Sequence, residues 1–173
     1  VHSGLAVRPV LLQKGTTKLA LYGMGNIRDE RFHHEMQNGR IRLVEPVEDH
    51  EEYFNLLLVH QNRYVVPLFI PTCSHSSTGL MMVAHGTIRV PRGVKNYVAD
   101  TAFGDEAHLI VWGHEHDCIE KAGAVPVTGR KYYITQPGSS VATSLAAGEA
   151  IPKSVLFSRR PSVEPLLMCC AFC

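Results

Sequence analysis

The feature that most constrains the fold is an apolar run at residues 109–112, which ends in Gly113 and the histidines His114 and His116. Because the run is short, contains β-branched residues and lies between polar residues, it predicts a buried strand and not a helix. Side chains alternate along an extended chain, so His114 and His116 are expected on one side and Glu115 on the other. Two imidazoles at this spacing can face one metal site. The alternative is a pair of ordinary histidines that form hydrogen bonds beside a strand.

A second apolar run supplies another candidate ligand. Residues 54–59 lead directly into His60. Open α/β sheets place their binding sites at the carboxyl ends of their strands. If the two strands are parallel neighbours, the imidazoles of His60, His114 and His116 lie at the same edge. Neutral imidazole binds zinc, manganese and iron, and the other ligands decide between these metals.

Length and composition indicate one globular domain. The chain has 173 residues, 45% of them hydrophobic and 19% charged, which suits a protein with a buried core. The formal net charge of +1 neither predicts nor excludes a nucleic-acid partner. No signal peptide and no apolar stretch of bilayer length is present, so no membrane association is expected. Five cysteines without regular spacing predict a reducing compartment and no disulfide framework.

The sequence around these runs predicts further elements. Two strands at residues 7–12 and 18–23 form a hairpin, and residues 28–37 form an amphipathic helix. We expect His33 and His34 of this helix at the solvated surface. In the second half, the sequence predicts a helix within residues 95–104, a hairpin from strands at 131–135 and 141–145, and no periodic structure from residue 154.

Four segments, in this order, resemble one protein family. They are LALYGMGNIRDER at 19–31, HQNR at 60–63, WGHEH at 112–116 and QPGSSVATSL at 136–145. Together they resemble the nuclease subunits of the MRN/MRX double-strand-break repair complex, which are calcineurin-like metallophosphoesterases. The likeness covers residues 10–63 and 92–153. It implies an α/β fold, namely an incomplete half of a two-sheet sandwich flanked by helices.

The resemblance also implies a metal site and a reaction. His60 and His114 would hold one Mn²⁺ ion and His116 a second, and a water between the ions would attack phosphorus. The implied activity is endonuclease and 3′–5′ exonuclease cleavage of DNA ends in double-strand-break repair and meiotic recombination. The implied partners are DNA ends, an SMC-like ATPase subunit and the third subunit of the complex. The resemblance also implies a homodimer, a nuclear location and no membrane contact.

The sequence also departs from the family pattern. The family's Asp-x-His, Gly-Asp-x-x-Asp and Gly-Asn-His-Asp motifs are absent, and the last of these carries the acid histidine. We therefore assign no catalytic residue in this chain and expect the fragment to be inactive alone. The first residue is not Met, which predicts an amino terminus that was cut or not completed.

Two segments lie outside the resemblance. Residues 64–91 contain no Asp, Glu or Lys and have no clear period. Within a partial nuclease domain at residues 1–153, we interpret them as an insertion foreign to the family, with a translated intron as the hypothesis for its origin. Residues 154–173 form a divergent tail.

Two other functions remain open from the sequence. Three histidines and an open water position suit a mononuclear zinc hydrolase. A truncated, non-catalytic product that only contacts partners is the other alternative. Five cations are candidate phosphate contacts: Arg28, Arg31, Arg63, Arg92 and Lys95.

Overall fold

The computed structural model describes residues 5–64, 97–118 and 124–152, together with the backbone of two strands at 154–159 and 166–171. The helix α1 spans Asp29–Gln37, and a short 3-10 helix spans His50–Glu52. The strands, in chain order, are β1 (Ala6–Val7), β2 (Val10–Lys14), β3 (Thr17–Met24), β4 (Arg42–Leu43), β5 (Tyr53–His60), β6 (Arg63–Tyr64), β7 (Val98–Ala99), β8 (Leu109–Gly113), β9 (Val125–Pro126), β10 (Tyr133–Thr135), β11 (Ser154–Arg159) and β12 (Leu166–Ala171).

A six-stranded mixed sheet, in the order β2-β3-β5-β8-β10-β9, organises the described residues. The strands β3, β5, β8 and β10 are parallel, while β2 and β9 pair antiparallel at the two edges. This arrangement confirms the α/β class. It also confirms that the two apolar runs are parallel neighbours, because β5 and β8 pair with His60 opposite Gly113.

One face of the sheet, which we call the inner face, carries the core. Strand alternation buries Tyr22, Leu57 and Trp112 there, each at 0% exposure. The helix α1 covers this face through Phe32, whose ring meets Phe103 edge to face, and Phe103 meets Trp112 in the same way. Helix α1 is therefore held by apolar burial on one side of the sheet.

The opposite, outer face is also apolar but less covered. Leu58 of β5 is 41% exposed, and Leu21, Leu56 and Val111, which alternate with inner-face residues, are half-buried. Runs that are apolar on both sides are typical of strands buried on both faces. Within the described part of the chain, the outer face keeps apolar surface in contact with solvent.

The predicted hairpin and helix in the first half are confirmed, with shifted bounds. The first strand divides, because Val7 belongs to β1, which pairs with β4, whereas β2 forms the hairpin with β3. The prediction for His33 is wrong: it is 8% exposed, and its Nε2 forms a hydrogen bond with the Tyr97 carbonyl oxygen. His34 is exposed as predicted.

Three predictions for the second half are wrong. Residues 97–104 contain β7 and turns instead of a helix, because Val98 is buried in the core and its N–H donates to Asn62 O at 2.8 Å. Residues 141–145 form no strand, and β10 pairs with β8 and β9 instead. The tail, predicted to lack periodic structure, forms the antiparallel pair β11-β12.

Some expectations lie outside the described residues. These are the character of residues 65–91 and the positions of Arg92 and Lys95. Among the described residues, no helix has the length and apolar character that a membrane crossing requires.

Candidate metal centre

The sheet brings His60 and His114 together at the carboxyl edge of β5 and β8. His60 is the last residue of β5, and its register partner Gly113 is the last residue of β8. A Cβ atom on Gly113 would lie 3.2 Å from His60 Nδ1, so the glycine leaves room for the imidazole. His114 follows with a φ of +75°, a left-handed conformation that turns the chain out of the strand.

The two rings meet through their nitrogens. His60 Nε2 lies 3.2 Å from His114 Nδ1, and the ring centroids are 5.0 Å apart. Two nitrogens that bind one metal at about 2.0–2.1 Å, with an angle between 90° and tetrahedral, are separated by about 2.9–3.4 Å. The observed spacing therefore fits a pair of imidazoles that share one ion, and it equally fits a hydrogen bond between the rings.

His116 is held by a different set of contacts. Its Nδ1 lies 2.6 Å from Thr143 Oγ1 and 3.8 Å from Glu149 Oε1. The predicted strand alternation does not extend to His114 and His116, because β8 ends at Gly113 and His114 is left-handed. Across the described ranges, no group of three or more His, Cys, Asp and Glu side chains is arranged to hold a metal ion. The structure thus joins two of the three histidines, and metal binding by all three stays a prediction.

A loop from the end of β10 fixes the backbone around His116. Ser139 N donates to His116 O at 3.1 Å, and Gln136 Nε2 donates to Asp117 O at 3.0 Å. Gly138 has a φ of +75°, and a Cβ atom there would lie 2.5 Å from His116 O. This close contact packs the loop at residues 136–140 against the backbone of His116.

Sequence analysis missed the acid that organises this loop. Glu149 is buried at 4% exposure and accepts four hydrogen bonds, from the backbone and hydroxyl groups of Thr143 and Ser144. The hydrogen bonds from Thr143, followed by those from Ser144, lower the pKa of Glu149 to about 2. Its only signal in the sequence was an acid a few residues after a Thr-Ser pair, a pattern common in exposed turns.

The candidate phosphate contacts differ in their surroundings. Arg63 is part of the scaffold: Nη1 donates to Gln136 Oε1 at 3.1 Å, and the guanidinium carbon lies 5.5 Å from the centre of the Trp112 ring. Its backbone N–H donates to Glu115 Oε1 at 3.2 Å, so Glu115 orients this loop. Arg28 and Arg31 are exposed at the start of α1.

A hollow of about 370 Å³ lies next to His60 on the outer face. Its lining residues are Gly23, Met24, Gly25, Leu58, Val59, His60, Val111 and Gly113. Added Cβ atoms at Gly23 and Gly25 would meet nothing within 4 Å. The described residues therefore leave open space beside His60.

Comparison with known proteins identifies relatives over most of this chain. It is 48% identical over 153 residues to the double-strand break repair protein MRE11 of Coprinopsis cinerea, covering 88% of this chain and 17% of that protein. It is 41% identical over 149 residues to the double-strand break repair protein mus-23 of Neurospora crassa, covering 86% and 16%. For MRE11 of Oryza sativa the identity is 38%, covering 94% and 21%.

The chain thus spans about a fifth or less of the length of the relatives it matches. No model of a protein family matches it. The identities extend over nearly the whole chain and recur in fungal and plant relatives, which indicates common descent. By sequence, the chain belongs to the MRE11 family of double-strand break repair proteins, of which it represents one segment.

Proposed function

We propose that this chain is a segment of a manganese-dependent DNA nuclease domain that acts in double-strand-break repair. The observation that carries the proposal is the pair of imidazole nitrogens, 3.2 Å apart, at the ends of two adjacent parallel strands. The relatives supply the biological process, since their printed names describe double-strand break repair proteins. The nuclease reaction comes from the family resemblance of the four segments. The pair supplies nitrogen ligands where an α/β sheet places a site.

Different histidines of this chain would bind different metal ions. His60 and His114 would bind one Mn²⁺ ion, and His116 would bind a second in the complete domain. The bound ions would polarise the phosphodiester and lower the pKa of an attacking water. The loop around Gly138 would keep His116 in place, and Arg63 would brace the histidine loop through Gln136.

The chain would need groups from outside itself to cut DNA. Imidazoles are neutral ligands, and among the described residues no carboxylate joins them in a group of three or more potential metal ligands. We therefore propose that this segment alone is inactive as an endonuclease or 3′–5′ exonuclease. The half-covered outer face, including Leu58, fits a two-sheet sandwich of which a second sheet would come from other residues.

The proposed substrate, partners and location follow from the family. DNA ends would be the substrate, and an SMC-like ATPase and the third subunit of the MRN/MRX complex would be partners, with a homodimer of the complete nuclease. The proposed location is the nucleus, with roles in repair and meiotic recombination.

Titration of the 173-residue chain with Mn²⁺ tests the site. Electron paramagnetic resonance monitors binding, because the signal of the free ion is lost when the ion binds. We expect weak binding of one ion, lost in His60→Gln and in His114→Gln. His34→Gln is the matched control, because His34 is exposed on α1 and is not part of the imidazole pair. Binding of Mn²⁺ that is unchanged in both His60→Gln and His114→Gln refutes the proposal.

The same titration with Zn²⁺ separates the remaining alternatives. One tightly held zinc that also requires His116 indicates the mononuclear zinc hydrolase. A chain that binds neither metal is the non-catalytic product. Either result contradicts the manganese proposal.

A further inference from the structure

A line of three polar side chains runs from the protein interior to His116. The carboxylate of Glu149, 4% exposed, accepts the Thr143 N–H at 2.6 Å and the Ser144 N–H at 3.1 Å. It also accepts the hydroxyl of each residue at 2.7 Å. The Thr143 hydroxyl oxygen in turn lies 2.6 Å from Nδ1 of His116. The three side chains therefore connect a buried acid to one defined nitrogen of the imidazole.

The protons available decide the direction of each hydrogen bond. A backbone N–H can only donate, and an ionised carboxylate can only accept. Both backbone N–H groups donate to Oε2 of Glu149, the same oxygen that faces the Thr143 hydroxyl, so this oxygen acts as an acceptor and has no proton to give. The Thr143 hydroxyl must then give its single proton to Glu149, and it faces His116 with a lone pair. The imidazole nitrogen opposite that lone pair, Nδ1, must be the donor.

We propose that Glu149, acting through Thr143, is a positioning residue that places the proton of the neutral His116 ring on Nδ1 and leaves a lone pair on Nε2. The hydrogen bond made by one ring nitrogen determines which nitrogen carries the proton. In water, the proton of a neutral histidine side chain prefers Nε2, so the network opposes the ring's own preference. The inference deepens the proposed function: its value for metal binding rests on that function, while the tautomer rests on the hydrogen bonds alone.

The arrangement has a known physical use. A histidine that binds metal through one nitrogen gains orientation and basicity when its other N–H donates to a carboxylate or another acceptor. Here the carboxylate acts through one intervening hydroxyl. Glu149 also fixes the loop backbone at residues 143–144, so the ring and its acceptor are positioned by the same acid.

Nuclear magnetic resonance of the histidine-labelled chain tests the tautomer directly. Long-range ¹H–¹⁵N spectra distinguish the Nδ1–H from the Nε2–H form, and the His116 signals are those that disappear in His116→Gln. We expect the Nδ1–H form in the original chain at a pH where the ring is neutral. We expect a shift to the Nε2–H form in Thr143→Val, which removes the hydroxyl and keeps the shape.

Two further variants separate positioning from loop stability. Thr143→Ser keeps the hydroxyl and is expected to retain the Nδ1–H form. Ser144→Ala removes one hydrogen bond to Glu149 without touching the line to His116, and is also expected to retain it. An Nε2–H form in the original chain overturns the inference. So does an equal change in Thr143→Val and Ser144→Ala, which would assign the effect to the loop.

Metal titration of the same samples keeps this inference apart from the proposed function. An Nδ1–H tautomer without any Mn²⁺ binding supports the inference and contradicts the nuclease site. Mn²⁺ binding by a chain whose free His116 is in the Nε2–H form overturns the inference and leaves the nuclease site standing.

Discussion

Replacing Gly138 by Ala is expected to destabilise the loop that holds His116. A φ of +75° costs a residue with a Cβ about 1–2 kcal/mol relative to glycine. The new Cβ would also lie 2.5 Å from His116 O and 2.9 Å from Asp117 C, both backbone atoms. Because backbone must shift to relieve this contact, overpacking adds about 1–3 kcal/mol. The expected total loss is therefore about 2–5 kcal/mol in the free energy of unfolding.

Gly129 provides the matched control. Its φ is +74°, but a Cβ there would meet nothing within 4 Å. Gly129→Ala should therefore carry only the backbone cost of about 1–2 kcal/mol. Urea unfolding followed by circular dichroism measures both variants, and the difference between them isolates the contact with His116. If the two variants lose equal stability, the close packing of Gly138 against the histidine loop is refuted.

Two further predictions concern the sheet and the buried acid. Leu57→Ala, at a fully buried site, should cost about 2–5 kcal/mol in urea unfolding, whereas Leu58→Ala, on the outer face at 41% exposure, should cost well under half as much; equal losses would show that the outer face is covered. Since the pKa of Glu149 is lowered from 4.5 to about 2, its contribution to stability is complete above about pH 4.5 and is lost as the pH falls toward 2. In Glu149→Gln, the free energy of unfolding should therefore decrease less steeply as the pH falls over this range than in the exposed control Glu48→Gln. Equal pH dependence of the two variants would contradict the low pKa.

The sequence predicted the parts of the fold whose periodicity is strong. The runs that became β5 and β8 are apolar, short and followed by polar residues, so their strand type was accessible. Gly138 has a positive φ, a conformation that glycine adopts at low cost.

Long-range contacts explain where sequence reasoning failed. Residues 141–145 alternate in a way that suggests a strand, but the backbone N–H groups of Thr143 and Ser144 donate to Glu149 and do not join the sheet. His33 lies in a polar helix, yet the carbonyl of Tyr97, far along the chain, gives it a buried partner. A local pattern carries no information about such distant partners.

The family resemblance predicted the members of the candidate site and the pairing of His60 with His114, whereas strand alternation predicted a common direction for His114 and His116. Two histidines separated by one residue suggested a common direction, and the left-handed turn at His114 instead leaves His116 to the Thr143 network. The proximity of His60 and His114 depends on the parallel register of β5 and β8. In the sequence, only the repeated pattern of a strand followed by a histidine indicates this register.

The structure pairs His60 with His114 and leaves His116 apart. This grouping also limits how many ions the segment can hold. Two unit charges 4 Å apart repel by about 4 kcal/mol at an effective dielectric constant of 20, so two divalent ions at that distance repel by about 16 kcal/mol. Neutral imidazoles offset none of this repulsion, and in the described part of the chain no carboxylate joins them in a group of three or more potential metal ligands. A second ion beside the first therefore requires carboxylates supplied by other residues of a complete domain. The single Mn²⁺ ion expected in the titration follows from this charge balance, and two ions bound per chain would show that the segment carries negative ligands not evident among its described residues.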